Sequence, residues 1–154
     1  MSKLEPILSL AAYRVRRAEQ LLAAATDELK RTALEEERAR IVLSEHQCTA
    51  ALREAEIYAE LIGNVVSQDK LESFRAFLTE QRRKEARLAT IVAGAAENAE
   101  VAARKVEDAR SVLRKTTVTM EKYSAAVDAS LHAATVEAAY REEHELEDIS
   151  GARK

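Results

Sequence analysis

The chain has 154 residues, with 24 Lys and Arg against 27 Asp and Glu, a net charge of −3, three Gly, one Pro, no Trp and 4% aromatic residues. So few turn formers exclude a sheet protein, which needs Gly, Pro or Asn at intervals of roughly ten residues. Charges of both signs, evenly mixed, exclude the one-sided basic face of a nucleic-acid binder and leave the profile of a long helix or coiled coil.

The single Cys48 cannot form an internal disulfide and fits a reducing compartment. No apolar run approaches the roughly 18–20 residues a membrane span needs, so no direct membrane insertion is expected. The opening MSKLEPILSLAA is apolar, but Glu5 and Pro6 interrupt it. Arg14, Arg16 and Arg17 then follow on the wrong side for a secretory signal. The expected location is cytoplasmic.

The first helix is predicted over about residues 5–62, with Pro6 in the opening turn, where its missing N–H needs no partner. Leu4, Leu8, Ala11, Val15, Ala18, Leu22, Ala25 and Leu29 alternate spacings of four and three, the seam of a coiled coil. Near residues 30–40 the apolar phase moves, and Leu34, Ile41, Cys48, Ala55 and Ile62 recur every seven, with Leu52 and Ala59 at the half steps. This predicts a shifted seam in an unbroken helix, with Cys48 a small core residue.

A turn is predicted at about 63–68, where Gly63 and Asn64 accept the left-handed conformation that ends helices. Ser67 or Asp69 can cap the next helix. The return helix is predicted over about 69–147. Its seam runs through Leu71, Phe74 and Leu78, weakens at Gln81 and Glu85, and resumes at Leu88, Val92, Ala95, Ala99, Ala102, Val106, Ala109, Leu113, Met120, Tyr123 and Val127, with Thr116 its one polar position. Gly94 inside it reads as a point of close helix approach. Beyond Val127 the pattern slips to Leu131, Ala134 and Ala138, and residues 148–154 are expected to fray.

The predicted fold is therefore all-α: a long antiparallel two-helix coiled-coil hairpin. Matching the arms places residues 90–147 opposite helix 1 and leaves 68–88 as a kinked or folded tip. The expected rod is roughly 85–90 Å long.

No catalytic constellation emerges. His46 and Cys48, two apart on a helix, face different ways, and no histidine stands in a Glu-x-x-His unit. There is no glycine-rich phosphate loop, and no metal or cofactor is implied. A thin hairpin also lacks a concave pocket for chemistry. Two features stand out. Phe74 and Phe77 cluster with Leu78 and Tyr58 around the turn, either to fold the tip or to anchor a partner. The basic run Arg82, Arg83, Lys84 and Arg87 adjoins them as a solvated face or a rim. At the other end Arg14, Arg16 and Arg17 lie off the seam beside Tyr13. The matched arms would bring the acidic Glu142, Glu143, Glu145, Glu147 and Asp148 beside them, but exposed pairs contribute only about 0–1 kcal/mol each. A charged end that meets another protein is the sharper reading.

The stretch LEPILSLAAYRVRRAEQLL, with Arg-x-x-Arg-Ala-Glu after an apolar start, resembles the opening of the YscO/FliJ family of type III secretion stalk proteins. LESFRAFLTEQRRKEARL and the closing YREEHELED are similar to the YscO branch, and the resemblance covers nearly the whole chain. It implies a non-enzymatic hairpin whose terminal end, here Tyr13, Arg14, Arg16 and Arg17, enters the hexameric secretion ATPase and promotes its activity. The other end would reach the cytoplasmic domain of the export gate through Gln47, Tyr58, Phe74 and Leu78, with Phe77, Arg82 and Arg83 beside them. Some such proteins also bind empty secretion chaperones. Two alternatives stay open, an escort for chaperones and a generic coiled-coil tether that self-associates. The stalk reading implies a monomer in isolation, because a four-helix rod would be too thick to thread a ring.

Overall fold

The computed structural model describes residues 3–152 and is a helical hairpin. Helix α1 spans Glu5–Leu61 and α2 spans Gln68–Ala152. Among the described residues there is no strand, and no helix is long and apolar enough to cross a membrane.

The connection is short and capped on both sides. Ile62 N–H donates to the Tyr58 carbonyl at 3.0 Å, and the Asn64 side-chain amide donates to the Glu60 carbonyl at 2.7 Å. Gly63, at φ 80°, takes the left-handed conformation that lets the chain leave the helix. Of the two candidate caps it is Ser67 that acts: its hydroxyl accepts from Lys70 N–H at 3.3 Å, and its carbonyl from Leu71 N–H at 3.2 Å.

The chain divides into two units, one of residues 24–106 and one that joins residues 1–23 to 107–154. In the terminal unit, Ala11, Val15 and Ala18 of α1 and Val127 of α2 are buried, as the spacing predicts. Ala11 and Arg14 border the same groove as Lys115, Thr116 and Thr119, which sets the antiparallel register. Continued by one residue per residue, that register brings Glu5 opposite about residue 125. Every residue from Asp128 to Ala152 is exposed. The last seven turns of α2 thus form a helical extension with no facing helix, and the helix continues through Ala152, past the expected end near 147.

This register revises the expected matching of the arms. The acidic residues of the extension do not sit beside the basic start. Glu142 lies some 23 residues, or roughly 35 Å of helix, beyond Thr119. Glu137 pairs instead with Arg141 of its own helix at 2.6 Å.

In the unit of residues 24–106, the segment 68–88 is the start of α2 and lies along the last turns of α1. The Tyr58 and Phe74 rings meet edge to face with centroids 5.1 Å apart. Gln47 donates to the Glu85 carboxylate at 3.0 Å, and His46 Nε2 lies 3.3 Å from the Gln81 carbonyl. Phe74, Ala99, Ala102 and Val106 are buried along α2.

The α1 seam does not change phase where expected. The inward positions continue the opening register through Leu29, Thr32, Glu36, Ala39, Leu43, His46 and Ala50, all buried or half-buried. Leu34, Ile41, Cys48, Ala55 and Ile62 are exposed instead, as are Leu52 and Ala59. Polar seam positions are tolerated because they find partners: Thr32 Oγ1 donates within its own helix to the Glu28 and Leu29 carbonyls, both at 3.0 Å, and Glu36 pairs with Arg40. The expected role of Gly94 is also revised, because a Cβ built there meets nothing within 4 Å. It marks no close approach of the helices.

Candidate functional site

Two regions carry the residues singled out from sequence. At the terminal end, the seam through Ala11, Val15 and Ala18 turns Tyr13, Arg14, Arg16 and Arg17 outward, and all four are exposed. None of the three arginines forms an ion pair among the described residues, where the ion pairs involve Arg31, Arg40, Arg53, Arg87, Arg104, Arg110 and Arg141. Arg14 borders a shallow groove of about 120 Å³ with Ala11, Lys115, Thr116 and Thr119. Beyond them, the unpaired end of α2 carries Asp128, Glu137, Glu142, Glu143, Glu145, Glu147 and Asp148 against Arg141 alone. Leu131, Val136, Tyr140, Leu146 and Ile149 are exposed among these acids. The Tyr140 ring stacks edge to face on His144, centroids 5.0 Å apart.

At the turn end, the aromatic cluster divides its labour. Phe74 is buried, and Tyr58 covers it while remaining 46% exposed. Phe77 and Leu78 are half-buried, and Arg82 and Arg83 point to solvent. Gln47 spans to α2 through its bond to Glu85. Phe74 therefore closes the end of the hairpin core, and the surfaces free to meet a partner are its neighbours. A groove of about 440 Å³ opens there between Ile57, Leu61, Val65, Val66, Phe74 and Phe77, with Arg53, Glu60, Lys70 and Ser73 on its border. Val65 is fully exposed and Ile62 is 75% exposed. Sequence reading treated both as turn or seam residues. The signal that could have found them is two large aliphatic side chains flanking Gly-Asn, where a solvated turn needs neither.

At the end of the unit of residues 24–106 farthest from the turn lies the best-developed charge cluster. Arg31 joins Glu28 and Glu35, the latter at 2.8 Å, above Thr32, with Asn98 and Lys105 of α2 on the opposite side of the same groove. The side-chain hydrogen bond from Arg31 holds the Glu28 carboxyl below its ordinary value. Burial opposes this, and the charges of Arg31 and Lys105 add to it. The ion pairs of the cluster lie within α1, and it has no nucleophile. Among the described residues no group of three or more His, Cys, Asp or Glu could hold a metal ion. His46, Cys48, His132 and His144 are not brought together: His46 lies in the seam, and the other three are exposed.

The family described as type III secretion protein YscO matches residues 4–151. Neither a curated protein nor a solved structure matches the chain.

Proposed function

The chain belongs to the YscO family of type III secretion proteins, and on that premise we propose that it is the non-catalytic central stalk of the secretion apparatus. Its terminal end binds and stimulates the hexameric export ATPase, and its turn end contacts the cytoplasmic domain of the export gate. It works in the cytoplasm, beside the inner-membrane machinery.

The observation that carries this reading is the unpaired end of α2. A lone helix is about 10–12 Å across with its side chains, a section that suits entry into the opening of a ring. Behind it Tyr13, Arg14, Arg16 and Arg17 are exposed and held by the seam, where they can meet acidic or polar loops of the ring. At the other end Phe77 lines an apolar groove bordered by Arg53, Glu60 and Lys70, with Tyr58 packed on Phe74 beside it and Leu78, Arg82 and Arg83 further along α2, the composition of a partner-binding surface. That groove also favours a second reading, an escort that holds a secretion chaperone there and leaves ATP turnover unaffected.

The test is ATP hydrolysis by the cognate secretion ATPase, titrated with this protein. The stalk reading expects stimulation that falls several-fold in an Arg14→Ala, Arg16→Ala, Arg17→Ala triple variant of unchanged helicity. No stimulation by the folded wild-type protein, together with binding of a secretion chaperone that Phe77→Ala weakens, would replace the stalk with the escort.

A further inference from the structure

The face of α1 turned away from α2 carries a second apolar stripe. Leu34, Ile41 and Leu52 on it are 47%, 48% and 64% exposed, and Val42 beside it is 49% exposed. Cys48 and Ala55 are exposed at the same seven-residue spacing. At about 100° per residue these positions fall nearly opposite the seam formed by Thr32, Glu36, Ala39, Leu43, His46 and Ala50. The helix thus hides its more polar face against α2 and shows its more apolar one to solvent. A stripe with heptad spacing is the pattern of a surface that receives another helix.

Which helix it receives follows from the charges. Between Leu34 and Leu52 the stripe holds three charged residues, Glu37, Arg38 and Glu45, of which Arg38 and Glu45 are one heptad apart and of opposite sign. Neither of these two forms an ion pair among the described residues, whereas nearby Arg31, Glu35, Glu36 and Arg40 all do. A helix aligned in parallel and in register would set Arg38 on Arg38 and Glu45 on Glu45, two like-charge contacts. An antiparallel copy whose two-fold axis passes between Ile41 and Val42 does the reverse. Arg38 of each copy then lies beside Glu45 of the other, twice over, as a two-fold contact requires. The same register sets Leu34 beside Cys48 and Thr49 of the second copy, and Ile41 beside Val42. Apolar neighbours thus border both ion pairs.

We propose that this face of α1 is a self-association surface, and that its occupant is a second copy of this chain, antiparallel, with reciprocal Arg38–Glu45 pairs. This reverses the expectation of a monomer in isolation, which rested on a four-helix rod being too thick to thread a ring; Leu34, Ile41 and Cys48 lie on the outer face of α1 and not in the hairpin's own seam. The proposal does not depend on the stalk reading. It adds a form of the protein away from the ATPase, in which the outer face of α1 around Ile41 and Glu45 is covered.

The test is sedimentation equilibrium of the full chain with a charge-swap cycle. Arg38→Glu alone and Glu45→Arg alone each put like charges in contact twice, and each weakens the dimer by about tenfold or more. The Arg38→Glu, Glu45→Arg double variant restores wild-type affinity. Both residues are exposed, so helicity by circular dichroism stays unchanged throughout. Orientation is read by disulfide trapping. In the antiparallel register the two Cys48 Cα atoms lie roughly 20 Å apart, too far to bond. Oxidised wild type therefore stays uncrosslinked, while an Ile41→Cys variant in a Cys48→Ala background crosslinks. A chain that remains monomeric into the millimolar range overturns the proposal, as does a dimer indifferent to the single swaps, or one that crosslinks through Cys48.

Discussion

Truncation after Val127 separates what holds this protein together from what it reaches with. Helices α1 and α2 contain 57 and 85 residues, so removing residues 128–152 takes away about 25 helical residues, up to roughly 18% of the helical ellipticity. Every one of those residues is exposed. The deletion therefore removes no buried apolar contact and leaves the layers of Ala11, Val15, Ala18 and Val127 intact. A change of ~1 kcal/mol shifts the melting temperature of a chain this size by about 2–4 °C, and the truncated protein should melt within about 3 °C of the full chain. Circular dichroism at 222 nm, followed through a thermal ramp, measures both quantities at once. Stimulation of the ATPase should meanwhile be lost, because the deleted segment is the end proposed to enter the ring. A fall in melting temperature beyond about 8 °C would mean that residues past Val127 pack against α1, and would refute a register that sets Glu5 opposite about residue 125. Full stimulation by the truncated chain would refute the insertion of this helix.

Three further outcomes follow from the same geometry. Gly94→Ala should stabilise the hairpin by about 0.5–1 kcal/mol in urea denaturation, since the position is helical and the added methyl meets nothing; Gly63→Ala should cost about 1 kcal/mol or more at its positive φ. Phe74→Ala should destabilise by about 3 kcal/mol and half-buried Phe77→Ala by markedly less; equal effects would show that Phe74 does not close the core. Arg31→Ala should raise the Glu28 titration, read by carboxyl carbon NMR, towards its ordinary value of 4.5. A carboxylate held low in the folded state contributes stability above its unfolded pKa and loses it as pH falls through the folded value. The sign is therefore a small stabilisation at neutral pH that disappears in acid, and an unmoved Glu28 would refute the assigned cause.

The two helices, the turn and the α2 seam from Phe74 to Val127 were legible because each rests on local rules: period, capping chemistry and the near absence of Gly and Pro; Leu71, Leu131, Ala134 and Ala138, placed on the seam by the same spacing, are exposed. The α1 seam was legible only as far as Leu29. Past it, apolar spacing pointed to Leu34, Ile41 and Cys48, while the helix kept its opening phase and hid Thr32, Glu36 and His46. A helix continuing straight from a well-packed start keeps its phase unless something unwinds it. Here polar residues with partners at hand, Glu36 with Arg40 and His46 near the Gln81 carbonyl, make keeping it inexpensive. Arm matching failed for a related reason. Hydrophobic period says which face is buried, but with alanine-rich layers nearly alike it says little about which layer meets which. Of the candidate site, the exposure of Tyr13 and the three arginines follows from the seam. The burial of Phe74 and the exposure of Val65 depend on how the turn closes, which no spacing encodes.

The turn supplies what the alanine layers lack. Helix ends capped by Gly63 and Asn64 on one side and Ser67 on the other fix how many residues join α1 to α2, and so number the layers of the unit of residues 24–106 outward from the turn. Paired length and reach then become separate quantities, one set by the shorter arm and the other by the surplus of the longer. Removing one heptad from α1 alone would expose about 10 Å more of α2, and removing one from each arm would shorten the zipper without changing its projecting end. Changes in units of seven residues would then alter paired length or projecting length separately, leaving the residues of the turn as they are.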